Sequence, residues 1–227
     1  MIELINLTKY YPTTNGRHYV FRDLNFKFPD GVSIALMGRN GAGKSTLMRM
    51  MGGVDTPDRG EVRADKSISW TVGSGAGFQG SLSGRDNVRF VCRLYGANAQ
   101  EVKEKIAFVE DFAEIGKFFD LPMKTYSGGM RSRVSFGMSM AFKFDYYLVD
   151  EGMAAGDPIF RKKATAVFKD RISESNLILV THNDKDVREM CNVVVIVEGG
   201  QATLFEDVSE GLEVYLNMKK QNKAAVA

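Results

Sequence analysis

The stretch Gly38-Arg39-Asn40-Gly41-Ala42-Gly43-Lys44-Ser45-Thr46 decides the fold of this chain, because it matches the phosphate-binding pattern G-x-x-x-x-G-K-[ST]. The apolar run 32–37 before it predicts a buried strand, and residues 45–51 predict a helix that ends at Gly52. A Gly-rich turn before Lys-Ser could arise by chance, but the matching strand and helix disfavour that alternative. The sequence therefore predicts a nucleotide-binding loop.

Each residue type in this loop offers a different contact to a nucleotide. Glycines leave backbone N–H groups free to surround a phosphate at the positive end of the helix dipole. Lys44 supplies a charge for the β- and γ-phosphates, and the Ser45 hydroxyl can ligate Mg²⁺. We expect Lys44 to lie at the surface of the site. The loop residues assigned to ATP are Gly38, Arg39, Asn40, Gly41, Ala42, Gly43, Lys44, Ser45 and Thr46.

Length and composition narrow the class of protein. With 227 residues, the chain has room for one large α/β domain with an inserted subdomain. Lys and Arg total 30 against 28 Asp and Glu, which gives no electrostatic argument for nucleic acid. Both cysteines, Cys92 and Cys191, fall in apolar segments and are expected to be buried and reduced.

Membrane and export signals are weak. The N-terminus begins with a strand-like alternation and lacks the pattern of a signal peptide. The apolar run 193–197 is far shorter than the roughly 18 residues that suggest a membrane span. We expect a protein that remains inside the cell and reaches a membrane only through a partner.

Two tyrosines lie in the turn between predicted strands 2–7 and 20–28. An aromatic face upstream of a phosphate loop can stack on adenine, and it can equally pack on the edge of a sheet. The two interpretations of Tyr10 and Tyr11 have about equal weight. If one of them stacks on adenine, Tyr11 is the preferred residue.

A helical block interrupts the α/β pattern. The Gly-rich segment 73–80 ends near Gln79, which on composition alone would be a surface glutamine. From Ser83, a predicted helix cap, the pattern stays helical to about residue 144. We predict an α/β core at 1–81 and 145–218, a helical subdomain at 82–144, a last helix ending near Met218 and a disordered tail at 219–227.

The helical block contains Ser127-Gly128-Gly129 at a predicted helix start. A serine hydroxyl and bare backbone N–H groups form a potential second anion site, although this one has no lysine of its own. An ordinary flexible cap is the alternative. Taken alone, this signal is weak.

Polar side chains follow two predicted strands. Asp150 and Glu151 end the strand 145–149, and His182 follows the strand 177–181. Open parallel sheets bind ligands at the carboxyl ends of their strands. There Asp150 can hold the hydration shell of Mg²⁺, Glu151 can polarise a water, and His182 can contact a γ-phosphate rather than serve as a loop residue.

Taken in order, these motifs resemble the nucleotide-binding subunit of ABC transporters over essentially the whole chain. The resemblance implies an α/β fold, a P-loop NTPase core of the ABC-ATPase type with an antiparallel β region. It implies that Gln79, with Ser45 and Asp150, contacts Mg²⁺ and that the Gln79 loop meets the membrane subunit. It also implies that Ser127 to Met130 form the signature motif, Asp157 a dimer contact and His182 the switch histidine. In this family each signature faces the P-loop of the other subunit, which explains an anion site without a lysine.

A narrower resemblance lies in segments 38–41, 78–88 and 141–147, which are similar to the ATPase of capsular polysaccharide exporters in Gram-negative bacteria. It implies a homodimer on an integral membrane permease at the cytoplasmic face of the inner membrane. Periplasmic and outer-membrane export proteins would be reached through the permease. The alternatives are export of another polymer such as O-antigen or a teichoic-acid-like polymer, a soluble ABC-type switch, and a P-loop kinase.

The chain departs from the common ABC pattern in two places. Met130 stands where glutamine is usual in the signature, and Gly-Met-Ala-Ala-Gly-Asp follows Glu151 instead of Pro-Thr-Ser-Ala-Leu-Asp. Both changes remove contacts across the dimer that the common pattern would make. We therefore expect ATP-driven closure to be weaker than in typical members.

Overall fold

The computed structural model describes residues 1–75, 77–150 and 158–226, with only the backbone described at 221–226. The strands are β1 (Ile2–Thr13), β2 (Gly16–Phe28), β3 (Ile34–Met37), β4 (Arg59–Ala64), β5 (Ile68–Thr71), β6 (Tyr146–Asp150), β7 (Asn176–Val180), β8 (Val193–Glu198) and β9 (Gln201–Phe205). The helices are α1 (Lys44–Met51), α2 (Gly84–Leu94), α3 (Ala99–Ala113), α4 (Gly128–Ala141), α5 (Pro158–Ile172), α6 (Asp184–Met190) and α7 (Val208–Val226). Two short 3₁₀ segments, Gly116–Asp120 and Met123–Thr125, lie between α3 and α4.

The strands form two sheets. A three-stranded antiparallel sheet has the order β2-β1-β4, and a six-stranded sheet has the order β5-β6-β7-β3-β8-β9. In the larger sheet β6, β7, β3 and β8 pair in parallel, and β9 runs antiparallel to β8. This arrangement confirms the predicted α/β class with an antiparallel β region.

The core lies where the two sheets meet α1. All four residues of β3 are buried, as expected for a central parallel strand that is covered on both faces. Leu47 and Met48 of α1 are almost fully buried in the same cluster as Phe21 and Phe28 of β2. This packing fixes the start of α1 relative to the end of β3, which is where the phosphate-binding sequence lies.

The β1–β2 hairpin is longer than the sequence predicted. Tyr10 pairs with Tyr19 and Tyr11 with His18, and the pairing continues to Thr13 and Gly16. The prediction of a loop at the two tyrosines was therefore wrong. Aromatic residues favour strands, and a tight turn before Gly16, whose φ is +118°, lets both strands continue.

The chain divides into two compact units. The sheet unit comprises Met1–Trp70, 144–150 and 175–226, and the helical unit comprises Thr71–Lys143, apart from residue 76, and 158–174. The sequence placed the helical subdomain at 82–144 and α5 in the core. Within the helical unit, however, the Phe160 ring of α5 packs 5.3 Å from the Phe112 ring of α3, and Arg133 of α4 lies 4.6 Å from the Phe160 ring centre.

The last helix is also longer than predicted. α7 continues to Val226, whereas the sequence placed its end near Met218 and expected a disordered tail. Lysine, glutamine and alanine, which are good helix formers, dominate residues 219–225. In addition, the Lys219 ammonium lies 4.4 Å from the ring centre of Tyr215, one turn earlier, which supports the helix there.

The cysteines behave as predicted. Cys92 and Cys191 are buried and free, and burial raises the pKa of the Cys191 thiol to about 12. In the part of the chain that the structure describes, no helix is both long and apolar enough to cross a membrane.

Candidate nucleotide site

Two glycines of the phosphate-binding loop are required by packing. Gly43 precedes α1 with φ +99°, and a Cβ there would lie 2.5 Å from Val20 and 2.7 Å from Phe21. Gly38 has φ +150°, and a Cβ there would lie 2.3 Å from the Val197 carbonyl oxygen. No side chain caps the start of α1. Uncapped N–H groups at a helix N-terminus are the donors that bind phosphate in other proteins.

Lys44 is buried, which corrects the expectation that it lies at the surface. Its side chain is 9% exposed, and Nζ donates hydrogen bonds to the carbonyls of Gly38 at 2.8 Å and Arg39 at 3.0 Å. An ammonium group has three donors, and the loop curls so that its own carbonyls accept two of them. The charge is therefore held at the centre of the loop.

Ser45 and Asp150 meet at the carboxyl end of β6. The Ser45 hydroxyl donates to Oδ2 of Asp150 at 2.8 Å. Within the described ranges no group of three or more His, Cys, Asp or Glu side chains could hold a metal alone. Mg²⁺ typically takes one or two protein oxygens and completes its octahedron with water and substrate phosphate. A hydroxyl and a carboxylate beside a phosphate loop fit that ion.

A cavity of about 290 Å³ in the sheet unit is lined mostly by residues that the sequence predicted for the site. Its polar lining comes from the loop, from Asp150 and from His182, so the structure brings together side chains that the sequence placed after three different strands. Val20 and Val180 complete the wall, and the sequence analysis did not identify either residue. The residues that line the cavity are Val20, Asn40, Gly41, Gly43, Lys44, Ser45, Thr46, Asp150, Val180 and His182.

His182 has a partner that the sequence did not reveal. Its Nδ1 lies 2.8 Å from the hydroxyl of Tyr215, a residue of α7 that is 1% exposed. The two rings are nearly parallel, at 8°, with centroids 6.5 Å apart. Nothing in the pattern of α7 distinguishes this tyrosine from an ordinary core residue.

Tyr11 lies beside the helix that follows the phosphate loop. Its hydroxyl accepts a hydrogen bond from Arg49 of α1 at 2.9 Å and lies 3.5 Å from Oδ2 of Asp55. The Tyr10 ring instead packs against Tyr19, with centroids 5.4 Å apart. Tyr11 does not line the cavity itself, but it is the tyrosine of the pair that contacts α1.

In the helical unit a buried amide, the side chain of Asn87, helps to hold the loop that carries Gln79. The Oδ1 of Asn87 accepts from the Gln79 backbone N–H at 2.8 Å. Its Nδ2 donates to the Gln79 carbonyl at 3.1 Å and to the Ser83 carbonyl at 2.9 Å. Asn87 is 1% exposed, whereas the Gln79 side chain is exposed. The backbone is therefore fixed while the amide of Gln79 remains accessible to a ligand or a partner.

Replacing Asn87 with alanine is expected to lower the free energy of unfolding by about 2 kcal/mol, because the Gln79 N–H loses its acceptor and the Gln79 and Ser83 carbonyls each lose one of their donors. Urea denaturation measures the change. Asn98→Ala is the matched control, because Asn98 is an exposed helix cap whose loss typically costs about 1 kcal/mol. Equal losses in the two variants would contradict the clamping role of Asn87.

The Ser127-Gly128-Gly129 segment begins α4 as the sequence predicted. The Ser127 hydroxyl accepts a hydrogen bond from the Met130 N–H at 3.2 Å. A Cβ at Gly128 would meet nothing within 4 Å, and one at Gly129 would meet only the Ser127 hydroxyl at 4.0 Å. The backbone of this helix start is therefore open on its outer side. Glu151 and Asp157 lie outside the described residues.

Residues 21–154 match the sequence model of the ABC transporter family, which covers more than half of the chain. The chain belongs to this family, as the order of its motifs predicted.

Named relatives agree with the narrower resemblance. Over 216 residues the chain is 55% identical to the polysialic acid transport ATP-binding protein KpsT of Escherichia coli, covering 95% of this chain and 96% of the relative. It is 40% identical to the capsule polysaccharide export ATP-binding protein CtrD of Neisseria meningitidis, covering 95% and 98%. The fold matches the dimeric ATP-binding cassette MJ0796 bound to ADP and Pi, with a TM-score of 0.69 at 21% identity over 91% of this chain and 98% of that one.

Proposed function

We propose that this chain is the ATP-hydrolysing subunit of an ABC exporter of capsular polysaccharide. The observation that carries the catalytic part is the cavity in which Lys44, the Ser45–Asp150 pair and His182 converge. The identity to capsule exporter proteins supports the transport part. Teichoic acid export proteins are more distant, at 31% identity in Staphylococcus haemolyticus, which disfavours that alternative polymer.

In this proposal the chain's own residues position ATP and the attacking water. Lys44 and the loop N–H groups bind the β- and γ-phosphates, and Tyr11 stacks on the adenine. Ser45, Asp150 and Gln79 hold Mg²⁺, which when bound neutralises charge on the phosphates. Glu151 accepts the proton of the attacking water, and His182 contacts the γ-phosphate. Catalysis is then mostly positioning and charge stabilisation.

Two copies of the chain are needed for a complete site. In the proposed homodimer, Ser127, Gly128 and Gly129 of one subunit bind the γ-phosphate held by the other. The open space around the start of α4 supports this role. Asp157 contributes a dimer contact, and Met130 and Gly156 weaken closure.

The partners follow from the same proposal. The dimer binds an integral membrane permease at the cytoplasmic face of the bacterial inner membrane, with the Gln79 loop at the contact. Periplasmic and outer-membrane export proteins connect through the permease. Copurification from detergent-solubilised membranes of the native host tests the permease, and deletion of the gene tests the cargo. Capsular polymer retained inside the cell supports the proposal, whereas an unaltered capsule and no membrane partner favour the soluble switch.

Replacing Ser127 with arginine is expected to leave ATP binding to the isolated monomer nearly unchanged and to suppress hydrolysis roughly 100-fold or more, the scale of losing one anion-binding group in a transition state. Titration with a fluorescent ATP analogue measures binding, and phosphate release measures turnover. The matched control is Asn98→Arg, which adds the same charge at another helix cap in the helical unit. Parallel loss of binding and turnover in Ser127→Arg would place the signature in its own chain's site.

A further inference from the structure

The C-terminal helix reaches the nucleotide site through one side chain. Tyr215 is buried in α7, and its hydroxyl lies 2.8 Å from Nδ1 of His182, which lines the cavity. This hydrogen bond constrains the direction in which Nδ1 points, and the two rings lie nearly parallel, at 8°, so the orientation of His182 depends in part on α7. No motif of the phosphate site includes this tyrosine.

The approach of α7 to the sheet is fixed by close packing. A Cβ at Gly211 would lie 2.6 Å from Cβ of Val194 in β8, so only glycine allows this distance. The next residue, Leu212, is fully buried. Tyr215 is one turn after Gly211, and its backbone is therefore held at a set distance from the sheet that carries the site.

The direction of the hydrogen bond follows from the chemistry of the two groups. A tyrosine hydroxyl always carries its proton at neutral pH, and Nδ1 of His182 is its one hydrogen-bond partner in the part of the chain that the structure describes. A buried O–H without an acceptor is unfavourable. Donation from Tyr215 to an unprotonated Nδ1 avoids that cost and places the imidazole hydrogen on Nε2.

We propose that Tyr215 is a positioning residue that holds His182 in the tautomer with hydrogen on Nε2, so that Nε2 donates to a phosphate oxygen of ATP. The inference rests on the proposed role of His182 at the γ-phosphate. In free histidine two neutral tautomers coexist. The one with hydrogen on Nε2 is the more populated, and the imidazole rotates freely. Tyr215 therefore selects one tautomer and one ring orientation of His182 before the nucleotide binds.

Nitrogen NMR tests the tautomer without any nucleotide. The chain has two histidines, so ¹⁵N-histidine labelling gives two spin systems, and the exposed His18 serves as an internal reference. At a pH where the imidazole is neutral, we expect His182 to show a single Nε2–H pattern. Tyr215→Phe is expected to shift it toward the tautomer mixture of His18. The matched control is Tyr146→Phe, which removes another buried hydroxyl, one that accepts from the Gly31 N–H at 2.8 Å.

Turnover tests the consequence. Tyr215→Phe is expected to lower kcat about 3- to 10-fold with little change in KM, the range of one net hydrogen bond. In a His182→Ala background the same change is expected to have no further effect, because a positioning residue acts only through its partner. The melting temperature and kcat of Tyr146→Phe show how much of a loss in kcat comes from lower stability alone.

The outcomes distinguish the proposed role of Tyr215 from the proposed role of His182 in hydrolysis. An unchanged His182 spectrum in Tyr215→Phe, or an equal kcat loss in the His182→Ala background, would overturn the positioning role. A shifted tautomer with unchanged turnover would support the contact with Tyr215 but contradict the proposed role of His182 in hydrolysis.

Discussion

ATP binding by the Lys44→Ala variant is expected to be weaker by roughly 100-fold or more. The side chain places its ammonium at the centre of the loop, 2.8 Å from the Gly38 carbonyl, which agrees with its proposed contact with the β- and γ-phosphates. Hydrogen bonds to charged groups contribute about 1.5–3 kcal/mol each, and losing two of them gives an effect of this size. Isothermal titration calorimetry with a non-hydrolysable ATP analogue measures it.

Burial of Lys44 makes a stability control necessary. Alanine removes the ammonium donor from the Gly38 and Arg39 carbonyls, of which Arg39 still accepts from the Ala42 N–H at 3.1 Å, and the loss is expected to cost about 1–3 kcal/mol in the free energy of unfolding. Lys44→Met keeps the length of the side chain without its charge and is expected to lose ATP binding equally. Lys185→Ala removes an exposed lysine that pairs with Glu189 and is expected to bind ATP normally. Unchanged affinity in both Lys44 variants would show that this loop is not the phosphate site.

The sequence predicted the parts of the site that depend on local chain geometry. A phosphate loop needs glycines, a lysine and a hydroxyl within nine residues, so its pattern appears directly in the sequence. The end of β6 could be placed in the same way, because parallel strands present their carboxyl ends at one edge of the sheet. The Ser45–Asp150 hydrogen bond, between residues far apart in the chain, followed from these two local predictions.

Contacts between distant elements were not predictable, because nothing local requires them. Tyr215 can contact His182 because Gly211 lets α7 approach β8 closely. Neither Tyr215 nor Gly211 belongs to a sequence motif. The burial of Lys44 was missed for a related reason. Its partners are carbonyls of the same loop, and the curl that turns them inward is a property of the three-dimensional turn rather than of residue type.

Helix and strand ends were also difficult to predict. The β1–β2 hairpin continued through Tyr10 and Tyr11 because cross-strand pairing, which a single sequence does not show, overrode the proline and polar residues nearby. Tyr11 thereby gained a fixed position beside Arg49. Tyr11, which was expected in a loop, is instead held by a strand, and this would keep its ring in place in the proposed stacking on adenine.

Replacing Glu151 with glutamine is expected to slow ATP hydrolysis by roughly 10²- to 10⁴-fold while ATP still binds, because the variant loses the proposed base but keeps nearly the same shape. Glu151 directly follows Asp150, whose carboxylate accepts from Ser45 in the site. Asp150→Asn is expected to differ, since weakening the proposed Mg²⁺ ligand would lower both ATP binding and turnover. Glu174→Gln is the control expected to leave hydrolysis unchanged, because Glu174 is an exposed residue of the helical unit that pairs with Lys143.

The same variant tests the proposed dimer, because unhydrolysed ATP would continue to bridge the P-loop of one subunit and Ser127-Gly128-Gly129 of the other. Glu151→Gln is therefore expected to elute as a dimer with Mg-ATP and as a monomer without it, as measured by light scattering on a sizing column. Weak closure caused by Met130 and Gly156 would reduce the dimer fraction, so the rate of hydrolysis is the stricter criterion. Wild-type turnover in this variant would remove Glu151 from the mechanism, whatever the oligomeric state.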